Sequence, residues 1–120
     1  MVDCPAYYAL EKKEFWENIL KGFVFEDNYF VFLNKKSNLK INDILEPKYS
    51  TYELISLVLL KYIQNRDCSA LAGSNYDNFL LLQAAISDLV DEDTLLFWKN
   101  TFYNKYRTEL DIKKLIWPSA

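Results

Sequence analysis

The sequence predicts a mainly α domain of four to five helices with a small antiparallel β-hairpin after the first helix. Three observations predict it. Apolar residues recur at helical spacing over most of the chain. The stretch that breaks this period, residues 23–33, is aromatic and β-branched around a polar Asp27–Asn28 step. No repeat, low-complexity tract or Pro/Gly-rich linker divides the 120 residues, which suits one domain spanning 1–120. An all-α bundle is the alternative, because periodicity alone does not separate a short apolar strand from a helix.

The first helix is expected from Tyr7 to Lys21. Phe15, Trp16, Ile19 and Leu20 share a face, Glu17 and Lys21 stand as an i,i+4 pair, and Gly22 is placed to stop the helix. The hairpin follows, with Asp27–Asn28 suited to the positive φ angles of a tight turn. Asn34–Asn38 reads as a polar loop, Leu39–Ile41 as a third short strand, and Pro47 closes the region. Ser50 and Glu53 have the spacing of a capping box ahead of a helix that is apolar nearly all round and runs to about Arg66, the most buried element expected. Gly73 and Ser74 open another helix, with Phe79, Leu80, Leu82, Ala85, Ile86, Leu89 and Val90 on its apolar side. Asp91-Glu92-Asp93 breaks it. Asp93 is then the expected cap of a helix carrying Leu95, Trp98, Phe102 and Tyr106 on one stripe, and a short last turn runs from Leu110 to Trp117.

Composition excludes more than it assigns. The chain is 51% hydrophobic and 26% charged, a globular balance. It has no histidine, which removes imidazole ligands and the Ser-His-Asp and Cys-His types of nucleophilic catalysis. Its two glycines, Gly22 and Gly73, are too few for a phosphate-cradling loop. Cys4 and Cys68 have no imidazole to activate them; reduced thiols are expected, with one disulfide between them, tying down the N-terminal arm, as the alternative. The longest apolar run, Leu57–Leu60, is far short of a membrane span. With no secretory signal visible, the expected location is cytoplasmic. No catalytic residue, cofactor or metal is assigned. The carboxylates around Asp88 lack the glycine and alternating ligands of a calcium loop.

Charge is distributed unevenly. Residues 1–66 hold nine acids and nine bases, residues 67–98 hold six acids and no base, and residues 99–120 hold five bases and two acids, giving −3 in all. Asp77 and Asp88, eleven positions apart, fall on one helical face. With Tyr76, Asp91, Glu92 and Asp93 they form the candidate partner-binding set. An acidic patch speeds encounter with a basic partner and fixes its orientation. Solubility alone is the plainer account of the same charges. Six tyrosines near helix starts and polar loops (Tyr7, Tyr8, Tyr49, Tyr52, Tyr76 and Tyr103) add interface-favoured side chains. Lys35, Lys36 and Lys40 follow the aromatic hairpin, but Glu26, Asp27, Asp43 and Glu46 interrupt them, and nucleic acid is not an expected partner.

A small, acidic, tyrosine-rich chain without a catalytic set is, in that general respect, similar to bacterial immunity proteins that neutralise toxins. The resemblance implies a non-enzymatic inhibitor of a basic, nuclease-type toxin. The alternatives are a viral or phage protein that engages a host factor through exposed aromatic or apolar surface, and a small accessory subunit or homodimer.

Overall fold

The structure, a computed structural model, describes residues 13–65 and 67–116, with side chains for 14–65 and 67–106. Helix α1 covers Lys13–Leu20; the predicted turns over residues 7–12, and Cys4, Arg66 and Trp117, lie outside the described residues. The Gly22 N–H donates to the Ile19 carbonyl at 3.3 Å, ending α1 where the sequence places its stop. Among the described residues no ion pair joins Glu17 to Lys21. The Tyr52 hydroxyl is pushed above its usual range by burial and then by the charge of Glu17.

Strands β1 (Phe23–Glu26), β2 (Tyr29–Phe32) and β3 (Lys35–Lys40) form an antiparallel sheet in that order. Asp27 (φ 51°) and Asn28 (φ 71°) make the first turn as predicted. The predicted loop at Asn34–Asn38 is corrected. Leu33 (φ 47°) and Asn34 (φ 70°) make a second two-residue turn, so β3 begins at Lys35 and ends at Lys40, and Ile41 enters a 3₁₀ turn, Ile41–Asp43. Leucine in the left-handed region is what hides this turn from turn chemistry, which looks there for Gly, Asn or Asp. Register slips between Tyr29↔Lys40 and Val31↔Lys36. At the slip the Ser37 hydroxyl donates to the Phe30 carbonyl at 2.9 Å and accepts the Leu39 N–H at 3.1 Å, filling places a regular ladder would fill with backbone.

Helix α2 (Thr51–Gln64) starts on the predicted capping box: the Glu53 N–H donates to Ser50 Oγ at 3.1 Å, and the Ser50 N–H to Glu53 Oε1 at 3.0 Å. It stops two residues before Arg66 because Asn65 turns left-handed at φ 55°. All seven residues from Leu54 to Leu60 are buried, which makes α2 the centre of the fold. Helices α3 (Ser74–Leu89) and α4 (Glu92–Ile116) pack on it, as does α1, while β3 and β2 pack on α3. A separate last helical piece is present, as predicted, but it starts before Leu110: the stretch Glu92–Ile116 is two helical segments that meet at a kink at Tyr106 (φ −118°, ψ 18°).

Two aromatic groups tie the layers together. Phe23 stacks on Phe30 and Phe32 at 5.5 and 4.3 Å, and Phe32 meets Trp98 of α4 edge-on at 5.7 Å. Phe15 and Trp16 of α1 close on Phe102 of α4 at 5.0 and 5.7 Å. Each such pair adds about 0.5–1.5 kcal/mol beyond its area burial. Mainly α with a small antiparallel sheet after the first helix is thus the observed class. The expectation of two reduced thiols is corrected at Cys68, which is 2% exposed and disulfide-bonded.

Candidate functional site

The base-free stretch builds α3 and the turn into α4. Three polar residues fix where α3 begins. Fully buried Asn78 accepts the Leu45 N–H at 2.9 Å and donates back to the Leu45 carbonyl at 2.8 Å. Asn75 Oδ1 accepts the N–H groups of Lys48 and Tyr49 at 2.6 and 3.2 Å. The Ser74 hydroxyl donates to the Glu46 carbonyl at 2.8 Å. The segment 45–49, which has no ladder of its own, thereby finds partners for its backbone groups. On the α2 side, Lys61 Nζ donates to Gln83 Oε1 at 3.1 Å and the Tyr62 hydroxyl meets the Gln83 carbonyl and the Ser87 hydroxyl.

Held at both ends, α3 turns Asp77 and Asp88 outward on one stripe, about 16 Å apart along the axis. Between them lie Leu80 (43% exposed), Leu81 (37% exposed) and the exposed Ala84. Leu80 was expected on the apolar side and is corrected to the surface. The run Phe79–Leu82 spans more than a full turn, so it cannot all face the core. That run is the signal from which the exposed apolar centre could have been read. Tyr76 is half-buried, its ring stacked on Phe79 at 6.4 Å, so it flanks the core beside the acidic stripe.

Asp91, Glu92 and Asp93 are all exposed beyond the end of α3. The capping role expected of Asp93 belongs to Asp91: the Thr94 N–H donates to its Oδ1 at 2.7 Å, and the Leu95 N–H to its carbonyl at 3.1 Å. Glu92 and Asp93 fall in the first helical turn, at the positive end of the dipole. The backbone and hydroxyl of Thr94 hold the Asp91 carboxyl below its usual range, with a smaller contribution from the Lys35 ammonium. A depressed folded-state pKa contributes stability above the unfolded-state value near 3.9, lost as pH falls through the folded-state value. Asp91→Asn keeps a capping side chain and removes the charge. Its stability deficit relative to the parent is therefore expected to hold at neutral pH and to close on acidification below the ordinary carboxylate range. Thermal melts of both proteins from pH 7 to pH 2 check this, and a deficit that does not depend on pH would contradict it.

The other chemistry-bearing candidates are drawn into structure. Lys36 and Lys40 sit over the Tyr29 ring at 4.6 and 5.2 Å to its centre. The Tyr103 hydroxyl, raised in pKa by burial, donates to the Ile63 carbonyl at 2.6 Å. Among the described residues no group of three or more His, Cys, Asp or Glu is placed to hold a metal ion, and no helix is long and apolar enough to cross a membrane.

The acids therefore form two groups, one framing an apolar centre on α3 and one at the start of α4. The first has the layout of a docking surface, with an apolar middle and a polar rim. Comparison with protein-family models, curated proteins and solved structures finds no match for this chain.

Proposed function

We propose that the protein is a non-enzymatic inhibitor that binds a basic protein, of the nuclease-toxin kind neutralised by immunity proteins, through the exposed face of α3 and the adjoining turn. The observation that carries this reading is the joint exposure of Asp77 and Asp88 around Leu80, Leu81 and Ala84. Carboxylates at the rim attract and orient a cationic partner, while the leucines supply apolar area that leaves water on contact. Of the bases around this region, Lys61 bonds Gln83, and the Lys35 charge acts on Asp91. Cytoplasmic action belongs to the same proposal, and the disulfide at Cys68 weighs against it, because cytosolic thiols are kept reduced.

The test uses the basic protein recovered with this chain from its source cell. Asp91 is a helix cap, so the clean variant reverses the two acids that cap nothing. Asp77→Lys with Asp88→Lys is expected to slow association by about tenfold at low ionic strength, with the difference shrinking as salt rises. Stopped-flow mixing measures it. An association rate indifferent to both the double variant and salt would remove the acidic-face proposal.

A further inference from the structure

A cleft of about 550 Å³ lies between α1 and the first half of α4, bordered at one end by the β2–β3 turn. We propose that it is a binding site for an organic monoanion with an extended apolar body, of the long-chain carboxylate class. The site is separate from the acidic face of α3.

The cleft is lined mostly by apolar side chains. Phe15, Ile19, Phe32 and Trp98 line it, all buried or half-buried, and Leu33 (67% exposed) and Phe97 (66% exposed) add large apolar side chains open to water. Gly22 lets α1 run into β1 directly above the Phe32 ring: a Cβ at that position would come within 2.5 Å of Phe32 Cε1. The volume lies within the ~300–1,000 Å³ of small-molecule clefts. Along α1 the lining runs from Phe15 to Ile19, about 6 Å of helix rise, and continues past the helix end over Lys21 and Gly22.

Two ammonium groups border this space, and they are not equivalent. Lys105 meets Glu14 at 3.9 Å and so faces an acid already. Lys21, exposed at the opposite end beside Leu33, has no side-chain partner among the described residues. One unneutralised cation at the mouth of an apolar cleft selects one negative head group. Thr94, Thr101 and Asn18 add neutral hydrogen-bonding groups to the lining of the cleft.

Titration calorimetry with sodium decanoate, kept below its micelle concentration, tests the assignment. The expected result is one saturable site, with 1-decanol, the same chain without the charge, bound about tenfold more weakly. Lys21→Glu is expected to weaken decanoate about tenfold and leave decanol unchanged, while Leu33→Asp combined with Phe97→Asp removes both. These side chains are exposed, so the fold is expected to tolerate the changes. Amide shifts of the unmodified protein give a second readout and should group on residues 18–22, 32–33 and 94–105. The proposal is overturned by absence of a saturable site, by equal binding of decanol and decanoate, or by shifts grouped elsewhere. It is equally overturned by a dimer in sedimentation that Phe97→Asp dissolves, which would give those apolar side chains to a second copy of the chain.

Discussion

Phe102→Ala is expected to destabilise the protein by about 3–5 kcal/mol, whereas Phe97→Ala, five residues earlier on α4, changes stability by no more than about 0.5 kcal/mol. The two positions share a helix and a side chain and differ in surroundings. Phe102 is fully buried, with the rings of Phe15, Trp16 and Tyr106 at 5.0, 5.7 and 5.0 Å, so truncation opens a cavity on every side of the lost ring. Phe97 faces water and loses little. Urea unfolding of the two variants beside the parent measures the difference. Equal midpoints would mean that the α1–α4 aromatic contact does not hold the fold together.

Asn78→Ala is expected to cost about 2–4 kcal/mol, more than a surface asparagine would, because it leaves the Leu45 N–H and carbonyl without their partners as well as emptying a buried site. Loss should concentrate in the segment the asparagine holds. Hydrogen exchange at Leu45 is expected to accelerate beyond what the change in global stability explains, and Lys48 and Tyr49, bonded to Asn75, should follow. Unchanged protection at Leu45 would show that the segment keeps its place without the amide.

These two residues mark what can be read from the chain alone. Phe102 was legible: it stands on an i, i+4 stripe with Trp98 and Tyr106, and helical period placed it inward. Asn78 gives no such sign, because its partner lies thirty-three positions away and no local pattern encodes that meeting. The same division runs through the sheet. Asp27–Asn28 declared its turn through residues that tolerate positive φ, and Leu33–Asn34 did not, since leucine gives no such sign. In the candidate site the outward placement of Asp77 and Asp88 follows from their spacing. The leucines between them required knowing which side of a four-residue apolar run the core would take.

The closure of Phe15 and Trp16 against Phe102 has a consequence for how the protein is made. Helix α1 is made well before its main aromatic partner, which is encoded eighty-seven residues later than Phe15. At ~5–20 residues per second the interval is on the order of ten seconds. Throughout it, the sheet and α2 can settle on local contacts while one side of α1 waits uncovered. The nascent chain thus carries a sticky aromatic surface until Phe102 has been made, and that is the period in which a chaperone would have most to shield.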